Sequence, residues 1–225
     1  MKENISVEQH VYNTLKSGIL SRKLAPGSQL VEIPISEKLK ISRTPVRNAI
    51  RKLAADGLVT IIPNKGAFVV NPTKTEVKQA YHLRKDLELI AVRLAIHLLL
   101  PGDFERLHQS LTNEVQALEQ KSLTDYLEAN KNFHMIIAEK SGNKFLIEFI
   151  ERLINETNIY LILFDTFFEE HSYVPTSTIE HKDILFQLEQ KDLIKVEELL
   201  HAHFENSIKS LAIQGKGYQT VENLF

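Results

Sequence analysis

Apolar residues recur at helical spacing along most of the chain, whereas β-type runs are few. The first stripe consists of Val7, Val11, Leu15 and Ile19, and Ser6 can cap the helix that it predicts. A short second helix is predicted over residues 34–39. After the linker at residue 72 the pattern is helical throughout, with six predicted helices in about 140 residues. The larger part of the protein is therefore predicted to be an all-α bundle.

Turns that contain proline, glycine or polar residues separate the six predicted helices. The first carries the stripe Leu83, Leu87, Ile90, Ala91 and Leu94, and Pro101-Gly102 is expected to end it. The second carries Phe104, Leu107, Leu111, Val115 and Leu118. The other four are predicted over residues 124–140, 144–168, 177–188 and 193–211.

An amphipathic helix with three evenly spaced arginines precedes the bundle. Ser42 is expected to cap this helix by accepting a hydrogen bond from a backbone N–H, and Gly57 to end it. Because Arg43, Arg47 and Arg51 fall four residues apart, their guanidinium groups line one side. Basic residues at the start of a helix are typical of a helix that enters a DNA groove.

A hairpin with a basic tip follows the arginine-bearing helix. Two β-type runs, 59–62 and 67–70, flank the turn Pro63-Asn64-Lys65-Gly66. Helix, turn, helix and hairpin in this order predict a winged helix-turn-helix. In such a fold the start of the arginine-bearing helix enters the major groove. The hairpin, or wing, contacts the DNA backbone or minor groove.

Charge is distributed unevenly along the 225 residues, although the net charge is only −2. Residues 1–72 hold 11 Lys and Arg against 5 Asp and Glu, whereas residues 73–225 hold 16 against 24. A basic head on an acidic body is expected when only one domain meets phosphate. The absence of cysteine excludes disulfides and thiolate metal sites.

Composition also limits where the protein acts. A content of 43% apolar and 25% charged residues is ordinary for a globular protein. No apolar run approaches the roughly 18 residues of a membrane helix, and the first residues lack the apolar core of a signal peptide. The sequence therefore predicts a cytoplasmic protein with no membrane partner.

The segments SRTPVR, AIRKLAADGLV and PNKGAFV, with LAPGSQL before them, resemble the recognition helix and wing of the GntR superfamily of bacterial transcription regulators. This resemblance implies binding to double-stranded operator DNA. By their positions on the helix and wing, the predicted DNA contacts are Arg43, Thr44, Arg47, Lys65 and Gly66. Arginine to guanine O6 and N7 is the commonest specific contact, and glycine lets the wing backbone approach phosphate.

Residues 74–212 resemble the effector-binding FCD domain of the FadR-like branch of that superfamily. The segments that carry this resemblance are LRKDLELIAVRLA, NKNFHMIIAEKSGN, EHKDIL and LLHAHFENSI. The predicted fold is therefore mainly α, with a winged helix-turn-helix over 1–72 and an all-α effector-binding and dimerisation domain over 73–213. The tail, 214–225, is expected to be loosely ordered.

Three histidines and an asparagine form a predicted metal site. Asn130 and His134 share a helix face because they are four residues apart, while His181 and His203 lie on apolar stripes. An antiparallel hairpin turning near residue 192 would bring the last two to one level. Neutral imidazoles bind zinc, nickel and related divalent ions. Three separately satisfied core histidines are the alternative.

The FCD resemblance implies that these four residues are the metal ligands. Many relatives have an aspartate where this chain has Asn130, and an amide oxygen is a weaker ligand, so lower metal affinity is expected. The resemblance also implies that Arg84 binds a carboxylate of the effector through two parallel hydrogen bonds. An ion pair with Glu88, four residues further on, is a competing and compatible interpretation.

Together these features predict a homodimeric transcription repressor and not an enzyme. A small molecule, expected to be an organic acid, would bind in the bundle and change how the two heads sit on a pseudo-palindromic operator. The apolar stretch Phe145–Phe168 could supply both bundle core and dimer interface.

Two functions from other classes stay open. A metal-dependent, hydrolase-like enzyme could use the three histidines to activate water. It would need a general base, and the sequence shows neither an HExxH motif nor a paired carboxylate near the histidines. A constitutive DNA-binding protein without an effector is the other alternative.

Overall fold

A computed structural model describes residues 6–164, 176–211 and 221–224. These residues form two compact units. The first runs to Thr73 and includes 221–224, and the second runs from Lys74 to Leu211. The predicted fold class, a small winged helix-turn-helix followed by an all-helical bundle, is confirmed.

Within the described residues, the first unit contains three α-helices and a three-stranded antiparallel sheet. Its elements are α1 (Val7–Leu20), β1 (Gln29–Leu30), α2 (Glu32–Leu39), α3 (Arg43–Ala55), β2 (Val59–Ile62) and β3 (Gly66–Val69). The strands lie in the order β1-β3-β2, with Leu30 opposite Ala67 and Val59 opposite Val69. The predicted wing, β2 and β3, is thus present. Sequence analysis did not predict β1, because two residues are too few to show a period of two.

The apolar faces of α1 and α3 pack together as the core of the first unit. The fully buried side chains are Val11, Leu15, Ile19, Val46, Ala49 and Leu53. Ser6 caps α1 as expected, because its hydroxyl accepts the backbone N–H of Gln9 at 3.1 Å. Ser42 is the N-cap residue of α3 as expected, but the expected hydrogen bond is absent, since its hydroxyl accepts no backbone N–H there. Pro45 occupies the third helical position, where an N–H would otherwise donate to that hydroxyl.

The described part of the second unit is built from six helices, the number that was predicted. They are α4 (Lys74–Ala95), α5 (Pro101–Glu119), α6 (Leu123–Lys140), α7 (Lys144–Phe164), α8 (Thr176–Glu189) and α9 (Leu193–Ser210). Residues 165–168, assigned by sequence to the fourth helix of the bundle, lie outside the described residues. Helix α5 packs on α6, α8 packs on α9, and α4 packs on α6, α7 and α9. Helix α4 therefore contacts three of the others.

Pro101-Gly102 begins a helix, whereas sequence analysis expected it only to end one. Pro101 is the first residue of α5, where a missing N–H is tolerated. Asp103 completes this start, because its Oδ2 accepts the backbone N–H of Leu100 at 2.8 Å. Helix α4 itself ends earlier, at Ala95.

Two predicted apolar stripes do not mark the buried faces of their helices. On α4, Leu83, Ile90 and Leu94 are 52%, 42% and 45% exposed, whereas Arg84 and Glu88 are buried. On α5 the buried residues are Asp103, Leu107, Ser110, Glu114 and Ala117. Periodicity identified both helices but not their inward faces, because the interior holds charged groups that bond to one another.

The described part of the C-terminal tail packs on the first unit. Val221–Leu224 form a turn of 3₁₀-helix that belongs to the first unit and contacts α1 and α2. Val221 is buried, and a Cβ at Gly18 of α1 would lie 2.5 Å from a methyl carbon of Leu224. Apolar packing therefore fixes this turn. Among the helices of the described residues, none is long and apolar enough to cross a membrane.

Candidate functional site

Three histidines from three helices converge inside the helical unit. His134 lies on α6, His181 on α8 and His203 on α9, and each is at most 4% exposed. One ring nitrogen of each lies within 4.8 Å of the corresponding atoms of the other two. The ring centroids of His134 and His181 are 5.0 Å apart, and those of His181 and His203 are 4.7 Å apart. The structure thus brings together the histidines that the sequence singled out.

Each imidazole contacts a glutamate on a different helix from its own. These glutamates lie on α4, α5 and α8. The three Nδ1–carboxylate pairs are His134–Glu88 at 2.6 Å, His181–Glu114 at 2.9 Å and His203–Glu180 at 2.8 Å. A carboxylate accepts a hydrogen bond, so in the neutral ring Nδ1 carries the proton and Nε2 keeps its lone pair. This is the tautomer in which Nε2 can bind a metal.

Burial and neighbouring charges keep His134 neutral and Glu88 ionised. Burial lowers the pKa of His134 to about 3, and this outweighs the opposite effect of Glu88. Burial would raise the pKa of Glu88, but His134 and Arg84 together lower it to about 2. Burial also lowers the pKa of His203, against the effect of its hydrogen bond with Glu180. At neutral pH a neutral imidazole therefore donates to an ionised carboxylate.

The remaining ring nitrogens of two histidines have no partner in the part of the chain that the structure describes. Nε2 of His134 and Nε2 of His181 are buried and have no hydrogen-bond partner among the described residues. Leaving a buried polar atom unpaired costs about 1–3 kcal/mol. Two apolar rings adjoin the cluster. Phe133 stacks on His181 with ring centroids 4.5 Å apart, and Phe204 lies edge-on to His203 with ring centroids 5.3 Å apart. These donor atoms fit a divalent cation held by Nε2 atoms.

Arg84 is connected to the histidine cluster through Glu88. Its Nε donates to Oε1 of Glu88 at 2.7 Å, so the predicted ion pair is present, and its Nη1 donates to Thr157 at 2.9 Å. Nη2 is buried and has no hydrogen-bond partner within the described part of the chain. The guanidinium carbon lies 5.2 Å from the centroid of the Phe204 ring. One nitrogen of Arg84 is thus available to an anion.

Asn130, the fourth predicted metal ligand, is buried on α6 one turn before His134. The spacing of four residues places both side chains on the same face of the helix. The structure therefore leaves Asn130 in a position compatible with the predicted role.

The predicted DNA contacts are exposed on the first unit. They are Arg43, Thr44 and Arg47 at the start of α3, and Lys65 and Gly66 at the tip of the wing. Gly66 has a φ of +111°, and a Cβ there would lie 3.0 Å from the Gln29 amide nitrogen. The backbone conformation favours glycine, whereas the Gln29 side chain would only have to shift its end to admit a Cβ. The Gln29 amide also donates to the carbonyl of Lys65 at 3.0 Å, which ties the wing tip to β1.

One open cleft collects residues from α3, the wing and the start of α2. Its lining includes Glu32, Arg43, Arg47, Arg51 and Gly66. Three of the five residues predicted to contact DNA, Arg43, Arg47 and Gly66, therefore line the same cleft.

Comparison with known proteins assigns both units. Residues 7–69 match the bacterial regulatory proteins of the gntR family, and residues 79–206 match the FCD domain. The chain belongs to the GntR family and carries an FCD domain. Its relatives are transcription regulators and not enzymes, so the hydrolase-like alternative is rejected.

Individual relatives of this GntR protein agree with the assignment. The HTH-type transcriptional repressor RspR of Escherichia coli is 28% identical over 91% of this chain and 89% of its own length. The regulator McbR of Escherichia coli is 30% identical over 67% of this chain and 68% of its own. The solved structure of McbR superposes with a TM-score of 0.65 at 26% identity, covering 91% of this chain and 96% of that one.

Sequence analysis missed the glutamates that hold the histidines of this GntR-family protein. Glu88 was considered only as a partner of Arg84, whereas Glu114 and Glu180 were not considered at all. Glu114 lies seven residues after the buried Leu107 and so shares its face of α5. This position relative to Leu107 could have identified Glu114 as a carboxylate that faces the interior. The partner of each glutamate is a long-range contact that a single sequence does not reveal.

Proposed function

We propose that this GntR-family regulator binds a divalent metal, zinc or nickel, at His134, His181 and His203, with Asn130 as a fourth ligand. The observation that carries the proposal is the pair of buried Nε2 atoms that have no hydrogen-bond partner among the described residues. A bound cation would supply positive charge and open coordination positions for an anion.

Three separately satisfied core histidines are a poorer account of the same geometry. Their Nδ1 atoms are satisfied by carboxylates, but Nε2 of His134 and of His181 are not satisfied within the described residues. Two unpaired buried acceptors would together cost about 2–6 kcal/mol. Glutamates behind metal-binding imidazoles are the usual outer partners, since they fix the tautomer and raise ligand basicity. Both features favour a metal site.

The proposed effector is a small organic acid whose carboxylate contacts Arg84. Nη2 of Arg84 is buried and unpaired within the described residues, while Glu88 and Thr157 orient the rest of the group. A buried guanidinium donor is suited to a carboxylate. A constitutive DNA-binding protein would have no use for such a group, so the geometry favours a ligand-responsive regulator.

The regulator is further proposed to act as a homodimeric repressor on a pseudo-palindromic operator. Its DNA contacts would be Arg43, Thr44, Arg47, Lys65 and Gly66. A second copy of the chain would cover apolar residues that the described structure leaves exposed, namely Leu83, Ile90 and Leu94 on α4 and Phe145 and Phe149 on α7. Repression is supported by the relative RspR, which is named a repressor. Effector binding would change operator affinity by favouring one arrangement of the two heads.

Metal content and metal-dependent stability test the central proposal. The full-length wild type, purified without chelator, should contain stoichiometric metal by elemental analysis, and its Tm should rise when zinc or nickel is restored after chelation. His134→Ala and His203→Ala should each abolish both effects. His201→Ala is the matched control, because His201 is exposed on the same helix as His203. A wild type with no metal and no metal-dependent stabilisation at pH 7.5 would contradict the proposal.

A further inference from the structure

The carboxylate of Glu32 bridges two of the arginines proposed to contact DNA. Arg47 donates from Nε to Oε1 at 2.8 Å and from Nη2 to Oε2 at 2.9 Å. Arg43 donates to Oε2 from Nη2 at 3.1 Å and from Nε at 3.3 Å. Glu32 is the first residue of α2, and both arginines lie in the first turns of α3. The contact thus joins the two helices of the helix-turn-helix at its reading end.

Both arginines use the same edge of the guanidinium for Glu32. An arginine has five N–H donors, of which Nε–H and one Nη2–H point along this edge. The two Nη1–H donors and the second Nη2–H remain, and one Nη1–H together with this Nη2–H forms the outer end of the group. Two parallel donors at that end match the O6 and N7 acceptors of guanine in the major groove. The bridge therefore occupies donors that guanine does not need.

The bridge matters more for orientation than for stability. The side chains of Arg43 and Arg47 are 55% and 47% exposed, and ion pairs so close to solvent contribute little to folding. A free arginine side chain samples many rotamers, which are lost when it binds a base. The hydrogen bond from Arg47 lowers the pKa of Glu32, against the effect of burial, so the carboxylate is ionised at neutral pH.

The charge of Glu32 also acts on DNA directly. A carboxylate beside both guanidinium groups partly neutralises them and repels phosphate, which weakens the sequence-independent part of binding. Guanine O6 and N7 carry no formal charge and meet only the outer ends of the arginines. One residue can therefore favour base contacts and disfavour phosphate contacts at the same position.

We infer that Glu32 is a specificity-determining residue, which positions Arg43 and Arg47 for guanine and discourages their binding to phosphate. This inference rests on the proposed DNA contacts. It predicts that replacing Glu32 changes the ratio of specific to non-specific DNA affinity. A change in fold stability or in net charge alone would not change that ratio.

The experiment compares a selected duplex with a shuffled one. The selected duplex is the sequence that full-length wild type enriches from a randomised pool, and the shuffled duplex has the same composition. Glu32→Gln should raise the affinity for shuffled DNA and lower the selected-to-shuffled ratio about tenfold, because two arginine–guanine pairs are loosened. Glu32→Asp keeps the charge but is one methylene shorter, so it should also lower the ratio if positioning matters.

A matched control separates charge from position. Glu37 is exposed on the same helix and makes none of the bridging contacts to Arg43 or Arg47. Glu37→Gln removes the same charge and should raise both affinities by a similar factor, with the ratio unchanged. All variants should keep the wild-type Tm within about 2 °C, as expected for surface substitutions.

Three different results would overturn the inference, and they are distinguishable. If Arg47→Ala lowers the ratio but Glu32→Gln and Glu32→Asp leave it at the wild-type value, the DNA contact stands and the role of Glu32 fails. If Arg43→Ala and Arg47→Ala leave the ratio unchanged, the proposed contacts fail and the role of Glu32 fails with them. Equal effects of Glu32→Gln and Glu37→Gln on the ratio would also reject it.

Discussion

Lowering the pH should destabilise the metal-free helical unit through His134. Burial lowers the pKa of this imidazole from 6.5 to about 3 in the folded protein, whereas the unfolded chain protonates it near the ordinary value. Between these two values the unfolded state binds more protons, so the free energy of unfolding falls as the pH falls. The stability is fully present above pH 6.5 and is lost progressively on acidification toward pH 3.

The expected magnitude follows from the size of this shift. Each pH unit well below the unfolded pKa removes about 1.4 kcal/mol, so going from pH 7 to pH 5 should remove about 2 kcal/mol through His134. His203 acts in the same direction, because burial also lowers its pKa. Glu88, with a pKa lowered to about 2, contributes a loss of the same sign, but mainly between pH 4.5 and 2.

Urea unfolding of the full-length chain in the presence of chelator, followed by far-UV circular dichroism at pH 7 and pH 5, measures this loss. His134→Asn is the informative variant, because its amide nitrogen can still donate to Glu88 but does not titrate. The wild type should lose about 2 kcal/mol more than His134→Asn over this interval. His201→Asn, at an exposed position, should behave like the wild type. Equal losses in the wild type and in His134→Asn would refute the reasoning.

Three further outcomes are expected. Arg47→Ala should lower operator affinity by about 1–3 kcal/mol more than affinity for scrambled DNA across a salt series, and equal losses would make Arg47 a phosphate contact. Asn130→Asp should raise metal affinity in calorimetry, because a carboxylate is a stronger ligand than an amide; an unchanged affinity would remove residue 130 from the site. Ile90→Glu should shift the full-length chain toward monomer in sedimentation at micromolar concentration, whereas Gln79→Glu on the same helix should not. A Ile90→Glu protein as dimeric as the wild type would place the interface elsewhere.

Several helix boundaries in this protein were predictable because local residues determine them, although the end of α4 at Ala95 was not. The turn expected around residue 192 precedes α9, and Oδ1 of Asp192 accepts the backbone N–H of Lys195 at 3.1 Å. Gly142 follows α6 with a φ of +65°, a conformation in which glycine is favoured. The wing was equally clear, since its turn and flanking β-type runs are contiguous. Each of these features depends on residues only a few positions apart.

The inward faces of α4 and α5 could not be predicted in the same way. A hydrophobic stripe is normally the buried face of a helix, and the stripe noted on α4 includes Leu83, Ile90 and Leu94. The structure buries Arg84 and Glu88 instead, because they bond to each other and to Thr157 and His134 on other helices. Those partners are 46 and 73 residues away in sequence. Only the three-dimensional contact explains why a charged pair faces inward.

The glutamates change the electrostatics expected of the proposed metal site. The predicted ligands, three imidazoles and one amide, are neutral and by themselves would leave a divalent cation its full charge. Glu88, Glu114 and Glu180 lie one hydrogen bond behind the imidazoles and raise the basicity of the opposite ring nitrogens. These carboxylates can therefore compensate for the neutral amide of Asn130.

Glu88 has a second consequence, because it binds His134 and Arg84 at the same time. Oε2 lies 2.6 Å from Nδ1 of His134, and Oε1 accepts from Nε of Arg84 at 2.7 Å. The positive charge of Arg84 stabilises ionised Glu88. An effector carboxylate bound to Arg84 would compete for that charge. It would therefore weaken the interaction of Arg84 with Glu88, the residue that orients the imidazole of His134. Any such coupling is reciprocal, so metal must change effector affinity by the factor with which effector changes metal affinity. If the proposed site is correct, neither affinity can be interpreted without stating the concentration of the other ligand.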